Sequence, residues 1–109
     1  MSDNRPISEQ FRIVSKQWVD AEAAASLLED TKSAVLSERM QALLREEPGL
    51  AINRAEATVK ASDEWKEWIT GMIDARKKAN LLKVQMEYLR MRSGEQASYE
   101  ATKRAEMKL

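Results

Sequence analysis

Cysteine and histidine are both absent from this 109-residue chain, and glycine (three) and proline (two) are scarce. Without either ligand type there is no zinc site of the usual kind, no thiol nucleophile, no imidazole general base and no haem held through imidazole. Disulfides are impossible, which fits a reducing compartment. Three scattered glycines do not build a dinucleotide fingerprint or a phosphate-cradling loop, both of which need closely spaced glycines. No stretch approaches the eighteen or so apolar residues of a membrane span, and the start of the chain has no apolar run of signal-peptide length. These absences lead us to expect a soluble, cytoplasmic, non-enzymatic protein with no cofactor and no metal, and no membrane partner.

What is present is apolar periodicity. The chain is 43% hydrophobic and 33% charged, with 18 basic and 18 acidic residues, a balance that suits helices better than a disordered coil. Ile7, Phe11, Val14, Trp18, Ala21, Ala25 and Leu28 alternate steps of four and three, a coiled-coil-like seam. Beyond Leu28 the apolar stripe drifts to Val35, Leu36, Met40, Leu43 and Leu44, as a 3.6-residue period requires. Ser8 is the candidate N-cap, Glu9 suits the first turn, and Pro48-Gly49 is a strong stop. The spacing predicts a helix over about 8–46, roughly 58 Å long at about 1.5 Å per residue.

After the turn at 47–52, Asn53 and Glu56 resemble a capping box with Ile52 as its staple, and Ser62 with Asp63 and Glu64 offers a second start. One continuous helix or two both fit. From there Trp65, Trp68, Met72, Ala75, Ala79, Leu82, Met86 and Leu89 keep strict three–four spacing, so the second long helix runs from 53 or 62 to about 92. Gly71 inside it reads as a close-packing position, and Ser93-Gly94 as its end or a kink. Residues 95–109 read as a short tail helix and residues 1–7 as a flexible N-terminus. The expected fold is therefore all-α, a single domain of residues 1–109 built as a long helical hairpin with a short C-terminal helix.

Phe11, Trp18, Trp65, Trp68, Met72, Leu82, Met86 and Leu89 are the candidate core or oligomer seam. Leu27, Leu36, Leu44, Ile69, Ile73, Leu81 and Met91 fall off it and need cover, which favours a homo-oligomer. The alternative is a monomeric bundle made by breaking the first helix at residues 30–33.

Charge is unevenly placed. Residues 8–47 carry eight acids against five bases, net −3, and residues 49–109 twelve bases against nine acids, net +3. Between Arg76 and Arg92, the cations Arg76, Lys77, Lys78, Lys83, Arg90 and Arg92 face only Glu87, net +5 over seventeen residues. Two readings compete. One is a solvated helix face paired with the acidic first helix. The other is a phosphate-tracking surface for single-stranded nucleic acid, with Tyr88 as a stacking ring.

Residues 73–88, IDARKKANLLKVQMEY, resemble the central helix of UvsY-type recombination mediators of tailed phages, and residues 99–108, YEATKRAEMK, are similar to the stretch that follows it there. The resemblance implies an oligomeric helical protein that binds single-stranded DNA and helps a recombinase displace single-strand-binding protein. The family's DNA-contacting pattern, a Lys-x-Arg pair before a hydrophobic-acid-aromatic run, falls on residues 83–88. Lys83 matches it, whereas Gln85 stands where the second basic residue belongs; Arg90 and Arg92 lie one to two turns further on. Two other readings of the chain stand beside this one. The first is a helical module that binds a host protein as an inhibitor or adaptor, and the second a structural coiled-coil assembly protein.

Overall fold

The computed structural model describes residues 4–108. Three helices follow one another, α1 (Ile7–Glu46), α2 (Ile52–Ala61) and α3 (Asp63–Met107), with no strand among the described residues. α1 and α3 run antiparallel and pack along one another, so the molecule is an all-α long helical hairpin measuring 87 × 24 × 17 Å.

α1 starts one residue before the predicted boundary, and its N-cap is not Ser8. Pro6 holds the extended conformation (ψ 148°), and its carbonyl accepts from the amides of Glu9 and Gln10, each at 3.0 Å. Ser8 already lies within the first turn, and a hydroxyl caps only from an extended backbone. Of the segment expected to be a flexible N-terminus, Ile7 is helical and residues 1–3 lie outside the described residues. The alternative break at residues 30–33 does not occur. α1 is continuous over 40 residues, and the Thr31 hydroxyl donates to the Leu27 carbonyl at 2.7 Å inside the helix.

Pro48 ends α1 because it has no amide to extend the ladder. The Leu50 amide closes a turn on the Glu47 carbonyl at 3.1 Å, with proline and glycine at the two central positions. The turn is shorter than the predicted 47–52, since α2 begins at Ile52. The capping box is not formed there. Extended Ala51 takes the cap position without a side-chain bond, Asn53 is already helical, and Glu56 pairs with Lys60 at 2.8 Å. Ile52 is exposed rather than stapled. α2 buries Ala55 and Val59 at the closed end of the hairpin.

Ser62 resolves the one-or-two-helix alternative in favour of two. Its ψ of 149° breaks the helix, its Oγ accepts from the Trp65 amide at 3.2 Å, and the same hydroxyl donates to the Val59 carbonyl at 2.6 Å. Asp63 and Glu64 occupy the first turn of α3, where carboxylates favour the positive end of the helix dipole. α3 then runs 45 residues through Ser93 and Gly94 without ending, so the tail is not a separate helix. The physical reason is that both residues keep an amide for the ladder, and glycine only weakens a helix interior. Gly71 is not a close-packing position either: a Cβ there would meet nothing within 4 Å.

The core is narrow. Towards the open end Val14, Met86 and Leu89 form a buried cluster flanked by Phe11, Trp18 and Leu82. In the middle Ala21, Ala25 and Ala79 let the two backbones approach, with Ala25 and Ala79 fully enclosed. Near the closed end Trp65 is buried and stacks on half-buried Trp68, centroids 5.5 Å apart at 11°, while Met72 is half-buried. Among the described residues no large side chain is fully enclosed.

Candidate nucleic-acid interface

The basic stretch of α3 divides by heptad position. Arg76, Lys83 and Arg90 recur every seven residues, each immediately after a seam residue (Ala75, Leu82, Leu89). Lys78, Gln85 and Arg92 also recur every seven, with Lys78 and Gln85 each just before one (Ala79, Met86). These rows occupy opposite edges of the helix, and Lys77 lies on the face between them, away from α1. The six cations therefore do not converge on one groove.

Arg76 is committed within the chain. Its Nε and Nη2 donate to the two oxygens of Glu29 at 2.9 and 2.7 Å, and its Nη1 donates to Glu22 at 2.6 Å. The hydrogen bond from Arg76 holds the Glu29 carboxyl below its ordinary value, and the bonds to Glu29 and then Glu22 raise the Arg76 guanidinium further above its own. At this position the pairing of basic helix with acidic helix holds. Glu22 and Glu29 were not singled out by the sequence reading, yet a signal exists. They are seven residues apart and each follows a seam residue, Ala21 and Leu28, by one, the register that faces an arginine just after Ala75.

The other candidates are exposed, with differing neighbours. The Arg90 guanidinium sits 5.9 Å from the centroid of the Phe11 ring, an arrangement in which the ring face attracts the cation. Arg92 donates to the Tyr88 hydroxyl at 3.2 Å and lies 6.0 Å from that ring; the hydrogen bond raises the Arg92 pKa. Lys78 lines a shallow groove between α1 and α3 together with Gln17, Asp20 and Leu82. Lys77, Lys78 and Lys83 take part in no salt bridge among the described residues. Tyr88 is half exposed.

No group of three or more carboxylates among the described residues is arranged to hold a metal ion, and no helix among them is long and apolar enough to cross a membrane. Comparison with known proteins adds no relative: no protein-family model, curated protein or solved structure matches the chain.

Proposed function

We propose that this chain is a non-enzymatic, homo-oligomeric accessory factor of phage DNA recombination or replication that binds single-stranded DNA through the exposed cations of α3. The observation that carries the reading is that Lys77, Lys78 and Lys83 stay exposed and out of salt bridges although an acidic helix lies alongside. Of the six only Arg76 is ion-paired to α1. Lys77, Lys78 and Lys83, with Arg90 and Arg92 held against the Phe11 and Tyr88 rings, keep their charge for phosphates. Tyr88 adds a ring on which a base stacks. The resemblance of residues 73–88 to UvsY-type mediators supplies the setting, the cytoplasm of an infected bacterial cell, and the partners, a recombinase or single-strand-binding protein.

Phosphate neutralisation releases counterions, so affinity falls with salt, with a slope of about −0.7 for each single-strand phosphate contacted. Fluorescence anisotropy with a labelled oligonucleotide measures it. Lys83→Ala with Arg90→Ala strips one edge of α3, and Lys78→Ala with Arg92→Ala strips the other. Each pair should lower the slope by roughly one to two units. No binding at low salt removes the reading.

A second reading, a helical module that docks on another protein, is favoured by the exposed apolar residues Leu81, Val84 and Met91 on α3. It predicts a stoichiometric protein complex whose affinity changes little with salt.

A further inference from the structure

The side of α3 that faces away from α1 carries a second apolar stripe. Leu81, Val84, Tyr88 and Met91 are spaced 3, 4, 3 and are 68%, 63%, 50% and 56% exposed. Single exposed apolar residues are ordinary, but a contiguous row along one helix face marks an interface. Continued in steps of three and four, the row passes Lys77, Ile73, Thr70 and Lys66 in one direction. In the other it passes Glu95, Tyr99, Thr102 and Glu106, where Glu95 and Tyr99 also border the groove at the start of α1, and every one of these positions is exposed.

Three observations identify what covers it. The first is area. The chain exposes 8487 Å², whereas a compact monomer of its 12.4 kDa exposes about 6,100 Å². The surplus exceeds the roughly 800 Å² that each subunit contributes to a standard dimer interface. The second is charge. Turned end for end about residue 86, the row complements itself. Lys66 meets Glu106, Lys77 meets Glu95, Ile73 meets Tyr99, Leu81 meets Met91, and Val84 meets Tyr88. None of these four charged residues takes part in a salt bridge among the described residues. A parallel alignment would instead set Lys77 on Lys77 and Glu95 on Glu95. The third is length. The start of α1 reaches only as far as a groove lined by Ile7, Arg92, Glu95, Gln96 and Tyr99, and every described residue from Arg90 onward is exposed. An uncovered helical end of this length is marginal in water, and the end-for-end alignment lays it against residues 66–73 of the second copy.

We propose that two copies of this chain pair antiparallel through the outer stripe of α3, about a twofold axis at residue 86. The pairing rests on the oligomeric part of the reading above and specifies its surface. The twofold axis keeps like edges on the same side. Lys83 and Arg90 of both copies therefore share one side of the dimer, and Lys78 and Arg92 of both share the other. Pairing takes Lys77 and Tyr88 into the interface, so in the dimer DNA is left to Lys78, Lys83, Arg90 and Arg92, and each edge gains a second pair of these cations and becomes a longer basic track.

Sedimentation equilibrium of the full chain without nucleic acid tests the pairing, and the expected mass is twice 12.4 kDa. Lys77→Glu and Glu95→Lys each weaken the dimer on the order of tenfold, because symmetry makes each reversal act twice, and the two reversals together restore it. All four positions used in these tests are exposed, so the packing of α1 on α3 stays intact by near-ultraviolet circular dichroism of the tryptophans, and any helix lost on dissociation is confined to the uncovered end of α3. The chain has no cysteine, so with oxidised glutathione as the two-electron oxidant Val84→Cys protein mixed with Tyr88→Cys protein should form a mixed disulfide, while neither forms one between its own copies. A monomer at all concentrations overturns the pairing and the oligomeric reading together. An oligomer indifferent to both reversals, or a Val84→Cys protein that links to itself, overturns this pairing and leaves the oligomeric reading standing.

Discussion

Arg76 grips the carboxylate of Glu29 at two points, Nε to Oε2 at 2.9 Å and Nη2 to Oε1 at 2.7 Å, across 47 residues of sequence. The same guanidinium reaches Glu22 at 2.6 Å, so one side chain of α3 spans a full heptad of α1. The clamp lies beside the alanine layer of Ala21, Ala25 and Ala79. Small side chains there bring the helices close enough for a planar fork to meet both carboxylates.

The clamp should be specific to arginine. Arg76→Lys keeps the charge and loses the fork, and thermal melts should place it nearer Arg76→Gln than the parent. A double-mutant cycle with Glu29→Gln should return a favourable coupling that shrinks as salt is added. A coupling of zero at low salt would show the contact to be energetically silent.

The same pair gives the hairpin a pH dependence. The Glu29 pKa is depressed in the folded state by the hydrogen bond from Arg76, so its contribution is fully present above the ordinary carboxylate value of 4.5. It is lost as pH falls through the lower folded value. Glu9, depressed by its bond from Arg12, acts in the same direction. Urea titrations from neutral pH downward should show stability falling below 4.5, less steeply in Arg76→Gln. Equal slopes in the two proteins would exclude the clamp as the source.

Gly71 and Gly94 sit in the interior of α3 with open space where a Cβ would be, and neither has a positive φ. Replacing either with alanine should stabilise the chain by about 0.5–1 kcal/mol, since only the helix-propensity term changes. Chemical denaturation measures this. A loss of stability at Gly71 would restore a close contact at that position.

Ala79 is the opposite case, enclosed against Ala21 and Ala25. Ala79→Leu should destabilise by about 1–3 kcal/mol through overpacking, and Ser62→Ala by about 1 kcal/mol through loss of the cap on Trp65. If Ala79→Leu were neutral, the two helices would not be held at the spacing that the alanine layer sets.

The hairpin was legible in the sequence because a heptad seam is a property of one helix at a time. Trp65 to Leu89 displays it directly, and Pro48 marks the reversal. Helix ends were less legible. Ser8 and Asn53 both look like caps, but a cap depends on which neighbour adopts the extended backbone, and Pro6 and Ala51 take that role. Ser93-Gly94 looked like a boundary, although neither residue removes a hydrogen bond from the helix. The basic stretch was legible as composition, not as arrangement. Whether Arg76 faces water or Glu29 depends on the register between two helices, and no single-helix pattern carries that register.

Register also governs what kind of object the molecule is. Phe11 lies beside Arg90, Val14 beside Met86, Ala25 beside Ala79, and Arg39 beneath its guanidinium meets Trp65. The numbers of each facing pair add to nearly the same total. Deleting one heptad from α1 and the matching heptad from α3 would preserve every remaining partnership and shorten the rod by about 10 Å. Its closed end and its basic stretch thus stand at the two marks of a ruler whose span is set by heptad count alone.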